Sequence, residues 1–371
     1  MSGAEQLILN DNYSNSLEPK SFVDAFINYP PEHFSINKTL LEDSGIISFF
    51  ADFNLLTTLE DEAKKYVAKI SRFAFFRYLI KKILTPNTLF VGTSISEYCL
   101  LPESKNTDQL VECIVEGYRQ SNKPLLIVKD IPQNSALLSQ IENENADKLI
   151  KQLEKKGLII VTGQALAYMD IDFTSFDEYL AKLSGSRRTD FRRKLKLATE
   201  LKRVEVKTGT SFFSDEIVDQ LYHQYETVFE RSDIHFDKLS VSFFKQVFQH
   251  TNDGYVYIYN YQGRIVGFNL CYIIGDKFVD KYIGTSDEDV KNLSLFYNMK
   301  FDNIKLCLEN GLKRYVVGYT SPEAKASLGC KFTYTYHAVY IRNPILRFIL
   351  KRLKSLFEGD KSTLENLASH H

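Results

Sequence analysis

A chain of 371 residues, 44% hydrophobic and 25% charged, is long enough for two domains with separate cores and has the make-up of an ordinary globular protein, not a disordered or fibrous one. Its formal net charge of −1 supplies no overall field, so any phosphate or nucleic-acid site has to be a local basic patch, and DNA is not an expected partner. The five cysteines (Cys99, Cys113, Cys271, Cys307 and Cys330) form no C-x-x-C pair and are odd in number, which favours reduced, buried thiols over a disulfide framework.

Residues 1–20 read as a polar, flexible N-terminus with no basic start before an apolar run, so no secretory signal is expected. No run of about 18 apolar residues is present to span a membrane, and the expected location is the cytoplasm. A short helix is predicted over 21–28, stopped by Pro30 and Pro31, and the mixed apolar run 45–53 predicts a strand. Over 61–84, Val67, Ile70, Phe73 or Ala74, and Ile80 follow a 3.6-residue period, which predicts a helix. A strand over 88–92 runs into the loop Thr93-Ser94-Ile95-Ser96. Then come a helix over 109–120, a strand over 124–128, a helix over 146–156 closed by Gly157, and strands over 158–162 and 165–171.

The stretch 172–184 is a junction, docked by a helix that starts at Ser175 with Glu178 in capping-box position. A helix over 187–201, a strand over 204–207 and helices over 215–230 and 242–249 follow. Strands over 255–261, 265–274 and 278–283 are separated by Gln262-Gly263 and Gly275-Asp276, two-residue turns that signal hairpins. A long helix over 294–311 leads to a strand over 313–319, a short helix over 322–328 closed by Gly329, and strands over 331–335 and 336–341. Helix, strand, helix and two strands thus occur twice in the same order, the sign of a duplicated unit. Only the second copy has a predicted three-strand meander before it. The last helix, over 342–357, is basic and amphipathic; such a helix either packs on its own domain or lies on an anionic membrane.

Three stretches carry a resemblance to a known family. One is Phe176-Asp177-Glu178-Tyr179-Leu180 running to Arg187-Arg188-Thr189-Asp190-Phe191-Arg192-Arg193-Lys194-Leu195. The second is Gly263-Arg264-Ile265-Val266-Gly267-Phe268-Asn269-Leu270, followed by Lys281-Tyr282-Ile283-Gly284. The third is Asn310-Gly311-Leu312-Lys313-Arg314-Tyr315, leading to Lys325 and Leu328-Gly329-Cys330. Together, across 89–343, they resemble the GNAT acyltransferase fold in its two-domain branch, the Fem peptidoglycan-bridge transferases and the FemAB-like peptidoglycan biosynthesis/recognition proteins.

The resemblance implies an α/β fold of two tandem GNAT-like domains, the first degenerate, at 21–171 and 172–342, with a basic helix and polar tail over 343–371. It implies an N-acyltransferase that moves an acyl group from a thioester, acyl-CoA as co-substrate with no tightly bound cofactor, to an amine of a small molecule or cell-envelope precursor. Fem-type transfer from aminoacyl-tRNA is the alternative within enzymes. A non-catalytic binding protein on the same scaffold is the alternative outside them. One departure stands out: Gly284-Thr285-Ser286-Asp287-Glu288-Asp289-Val290-Lys291-Asn292 lacks the glycine-rich turn with which many GNAT enzymes hold a pyrophosphate.

By resemblance the donor lies between 281–286 and 317–321, with Gly284, Thr285, Ser286 and Asn292 beside it. Tyr282 and Tyr319 are the phenols at those strand ends and candidate acids; packed aromatics are the plain alternative. Lys325 matches the family's lysine and could hold a donor phosphate or a substrate carboxylate; otherwise it is a solvated helix lysine. Glu226, with Asp280 second, is the candidate base or amine-binding carboxylate. Arg187, Arg188, Arg192, Arg193, Lys194 and Lys196 fall within ten positions. Arg188 and Arg192, one turn apart, form a ridge suited to phosphates of CoA, a lipid head group or tRNA; a solvated face is the plain alternative. The histidines show no metal-ligand spacing, and no metal site is expected.

Overall fold

The computed structural model describes residues 12–54, 85–232, 235–286 and 292–352. The helix predicted over 61–84, the acidic residues 287–289 and the polar tail lie outside them. Along the chain run β1 (Tyr13–Ser14), α1 (Lys20–Asn28), β2 (Ser35–Ile36), α2 (Lys38–Ser44), β3 (Ser48–Asp52), β4 (Asn87–Val91) and β5 (Leu101–Pro102). Then come α3 (Thr107–Ser121), β6 (Leu125–Gln133), α4 (Gln140–Lys155), β7 (Ile159–Asp170), α5 (Phe176–Lys182), α6 (Gly185–Leu197) and β8 (Lys202–Lys207). The rest are α7 (Asp215–Glu230), α8 (Val241–His250), β9 (Tyr255–Tyr261), β10 (Arg264–Ile274), β11 (Lys277–Thr285), α9 (Leu295–Glu309), β12 (Arg314–Gly318), α10 (Pro322–Ser327), β13 (Lys331–Ile341) and α11 (Pro344–Arg352).

The chain divides into two compact units, Met1–Ser16 with Glu32–Ala165 and Thr333–His371, and Leu17–Pro31 with Leu166–Phe332. In the first, β2, β3 and β4 pair antiparallel, and β4 pairs parallel with β6 from Thr88↔Leu125 to Val91↔Val128. The parallel step is made through α3, whose start is fixed by a capping box between Asn106 and Gln109. β6 then pairs antiparallel with β13. Leu89, Val91, Ile114, Val128, Leu149 and Ala338 lie in this unit's core.

The second unit repeats the order with fuller strands. β8, β9, β10 and β11 form an antiparallel meander, β11 pairs parallel with β12 through α9, and β12 pairs antiparallel with β7. α9 is buried on most of its circumference, including Leu295, Met299, Phe301, Ile304 and Cys307. This is an α/β protein of two GNAT-like units, the first reduced.

Four expectations are corrected. The first unit also has an antiparallel run before its helix; β2, only two residues long, leaves too little alternation to be read. The paired strands expected over 158–171 and 331–341 are single strands, β7 and β13. No turn forms at Gly163: a Cβ there would stand 2.4 Å from Thr335 Oγ1, so the glycine leaves room for the Thr335 side chain. β13 absorbs its irregularity as a register shift between Tyr336 and Ala338 instead of turning. α4 begins at Gln140 because Ser139 and Glu142 form a capping box. Finally, the contiguous boundary at 171/172 does not describe the units. α1 packs in the second, with Phe22 and Phe243 ring centroids 5.4 Å apart, and the end of β13 pairs in the first.

Candidate active site at a strand fork

β11 and β12 pair only from Lys277↔Arg314 to Val279↔Val316, after which β11 continues to Thr285 without β12. The fork opens over a buried polar cluster. Asp280, the first residue beyond the pairing, accepts from Asn269 Nδ2 (2.7 Å), Asn303 Nδ2 (3.1 Å) and the Tyr315 hydroxyl (2.8 Å), and from Lys300 Nζ. Asn303 also donates to the Tyr315 oxygen at 2.9 Å, and the Cys271 thiol donates to Asn269 Oδ1 at 2.9 Å. Burial, then the charge of Asp280, pushes the Tyr315 phenol well above its ordinary range, so it stays a donor. A carboxylate so enclosed is a structural anchor, and as a base it would have to break these bonds.

Just beyond, a register shift between Leu270 and Cys271 leaves Lys281 as the extra residue of a β-bulge. In an unbroken strand Asp280 and Tyr282 would share a face. The bulge instead turns Lys281 and Tyr282 toward α1, α7 and α8. Lys281 Nζ lies 3.4 Å from Glu18 Oε2, an ion pair with both side chains buried, and 5.3 Å from the centroid of the Phe22 ring. Tyr282 sits among Phe22, Tyr225 and Phe244, with centroids 5.8 to 6.2 Å away.

At the end of β11, Gly284 is a packing glycine: a Cβ there would meet Phe268 Cε1 at 2.2 Å and Gln224 Cβ at 2.9 Å. Thr285 Oγ1 accepts from Arg231 Nη2 (3.0 Å), and Ser286 N donates to Val266 O (2.9 Å). A cleft of about 700 Å³ opens here among Gln220, Gln224 and Thr227 of α7, Arg264, Ile265 and Ser286. Gln224 Nε2 donates to Ile265 O at 2.8 Å, which fixes the amide's orientation. Asn292 is exposed on the approach to α9.

At the end of β12, Gly318 has φ 94° and Ser321 has φ 55°, so the chain turns sharply into α10. That turn brings Lys325 back over the strand end. It is 2% exposed, and its Nζ is 3.5 Å from where a Gly318 Cβ would be. Burial pushes the Cys330 thiol up to about 12, with the Lys325 charge acting the other way. Tyr319 is half-buried in the same turn. Thus Lys325 and Tyr319 share the β12 side of the fork, while Gly284, Thr285 and Ser286 end the β11 side.

Glu226 stands apart on α7, paired with Lys238 Nζ (2.7 Å) and near His223 Nδ1 (3.8 Å). The basic ridge is the exposed side of α6, which is held down by Phe191, 5.6 Å from Tyr297 and 5.0 Å from Phe301 by centroid. Asn298 Nδ2 donates to Lys194 O at 3.1 Å, and Lys194 Nζ lies 3.8 Å above the Tyr297 ring. α6 is therefore fixed against the first turns of α9. Asp190 takes Arg193 and Lys194, whereas Arg188 is half-buried and Arg192 exposed.

Asn269, Lys300, Asn303, Tyr315 and Arg231 were not picked out as site residues from sequence. The legible signal is Lys300 and Asn303, polar residues three apart on a helix, with Met299, Phe301 and Ile304 beside them.

A family model described as FemAB-like, peptidoglycan biosynthesis/recognition, matches residues 116–368, more than half of the chain. Among solved structures, L-PGS from Bacillus licheniformis is 11% identical with a TM-score of 0.49, covering 92% of this chain and 96% of that one. FemX is 13% identical at 0.46, covering 72% and 83%. A tandem GNAT protein from the clavulanic acid biosynthesis pathway is 10% identical at 0.41, covering 89% and 90%. The search of curated proteins gave no match.

Proposed function

The chain belongs to the FemAB-like family of peptidoglycan biosynthesis/recognition proteins, and on that premise we propose that it transfers an aminoacyl group from aminoacyl-tRNA to an amine of a cell-envelope precursor. The observation that carries this reading is the α6 ridge: Arg188 and Arg192 stand one turn apart on a helix fixed to the start of α9. Cations spaced along a helix suit an extended phosphate backbone. Acyl-CoA is the competing donor. Against it, the sequence from Gly284 to Asn292 has one glycine and three acidic residues, a composition unfavourable to a pyrophosphate.

In this reading the donor ester lies in the fork, its carbonyl oxygen toward the Lys325 ammonium, where negative charge grows during attack. The amine nitrogen attacks the carbonyl carbon; the C–N bond forms and the ester C–O bond breaks. Tyr319 gives its proton to the departing ribose oxygen, and the surplus proton on nitrogen returns to the tyrosine oxygen. The Asp280 cluster holds the two strands at the angle that keeps the fork open.

Titrating the wild type and an Arg188→Ala/Arg192→Ala variant with tRNA and with CoA, each at two salt concentrations, tests the donor. Binding of tRNA should fall steeply with salt, and the variant's log–log slope should be shallower by roughly 1 to 2. Equal tRNA binding by both proteins, or binding of CoA without binding of tRNA, overturns the proposal.

A further inference from the structure

α11 is tied down at its start and open along one side. Asn343 Oδ1 accepts the backbone N–H groups of Ile345 (2.9 Å) and Leu346 (3.2 Å), capping the helix. The Arg342 guanidinium lies 5.2 Å from the Tyr118 ring centroid and that of Arg347 4.3 Å from Tyr340, which joins the helix to its own unit. With that attachment made, Ile345 and Phe348 are turned outward, 69% and 59% exposed. They are three residues apart and therefore neighbours on one helix face. Arg352 lies 5.1 Å from the Phe348 ring centroid, and Lys351 is exposed one turn beyond Phe348.

Between 342 and 352 the chain has four basic residues (Arg342, Arg347, Lys351 and Arg352) and no acidic one. Two large apolar side chains in water, with only basic charges among residues 342–352, are mismatched to solvent and complementary in charge to an anionic surface with an apolar interior. An acidic protein partner would match the charges but would give Ile345 and Phe348 no assured apolar seat; a bilayer of anionic lipid matches both. We propose that α11 lies in the surface of an anionic lipid bilayer, with Ile345 and Phe348 among the acyl chains and Lys351 and Arg352 at the lipid phosphates. This contact is independent of which donor the fork takes.

Co-sedimentation of the full chain with phosphatidylcholine vesicles, with and without phosphatidylglycerol, tests it. The wild type should pellet with the anionic vesicles and far less with the neutral ones. Each cation at an anionic surface strengthens binding about fivefold, so Lys351→Glu/Arg352→Glu should lower partitioning at least tenfold and raised salt should act the same way. Ile345→Asp/Phe348→Asp should abolish it while the melting temperature stays within a degree or two, since both side chains are exposed. A wild type that stays in solution with anionic vesicles overturns the proposal. So does an Ile345→Asp/Phe348→Asp protein that pellets as the wild type does, or self-association through this face without vesicle binding.

Discussion

Tyr315 on β12 donates to Asp280 Oδ2 on β11 at 2.8 Å, across the point where the two strands stop pairing. The last backbone-paired positions are Val279 and Val316, so this side-chain bond, with Lys300 and Asn303 of α9 on the same carboxylate, takes over where the ladder ends. The fork is thus a wedge with a bonded apex, not a frayed edge.

Removing the carboxylate should unfasten that apex. In Asp280→Ala, Lys300, a residue 3% exposed in the intact protein, loses its counter-ion without gaining water. Breaking a buried pair from one side costs about 3–5 kcal/mol. Urea denaturation should show a loss of that size, and Lys300→Met/Asp280→Leu should recover much of it. A loss under 1 kcal/mol in Asp280→Ala would mean the cluster holds nothing together.

Gly284→Ala should destabilise through packing alone. The new methyl would lie 2.2 Å from Phe268 Cε1, and Phe268 is fully buried and cannot swing into solvent. Overpacking of this kind costs about 1–3 kcal/mol. Thermal denaturation beside Gly263→Ala, where nothing lies within 4 Å but φ is 77°, separates crowding from backbone strain.

These contrasts mark what the sequence makes legible. Gln262-Gly263 and Gly275-Asp276 flank alternating apolar runs, and both close hairpins of the meander. Ser175 caps the helix that was expected there, accepting from Glu178 N at 3.1 Å, although the Glu178 carboxylate reaches Thr174 instead of the cap residue. Gly163 stands in the gap expected between strands over 158–162 and 165–171, and a close-packing glycine and a turn glycine look alike until the opposing side chain is present. The bulge at Lys281 was equally silent: the extra residue is defined only by pairing with β10, so the direction of Tyr282 was beyond reach of period-two reasoning. Asp280 was noticed, but its partners come from three other elements distant in sequence. The nearness of Lys325 to Gly318 depends on a left-handed Ser321 that its residue type does not announce.

Turnover should separate the two phenols. Tyr319→Phe removes only a hydroxyl on the β12 side of the fork, and loss of a positioned acid lowers kcat by about 10²–10⁴-fold. Lys325→Met should lower kcat by about 10²–10³-fold with a smaller change in KM, as for a donor acting on the developing oxyanion. Tyr282→Phe, packed among Phe22, Tyr225 and Phe244, should retain most activity. The reverse order for the tyrosines would move the acid to β11.

Stability should also fall on mild acidification through His337. Its Nδ1 accepts the Asp130 N–H at 3.0 Å, a bond that a proton on that nitrogen would end. Burial, chiefly, holds its pKa below the ordinary value of 6.5, with Asp130 pulling the other way. The unfolded chain then binds the proton more readily, so this contribution is intact above the ordinary value and is lost as pH falls toward the folded one. Melting temperatures from pH 7.5 downward should drop less in His337→Gln than in the wild type; parallel curves would remove His337 as the cause.

Product formation tests transfer from tRNA most directly. Purified protein would be given tRNA charged with a labelled amino acid and an envelope precursor bearing a free amine, in parallel with a labelled acyl-CoA and the same precursor. Label is expected in the precursor from the charged tRNA, falling in Tyr319→Phe, Lys325→Met and Arg188→Ala/Arg192→Ala proteins that remain folded. Label entering from acyl-CoA alone, or from neither donor, would contradict it.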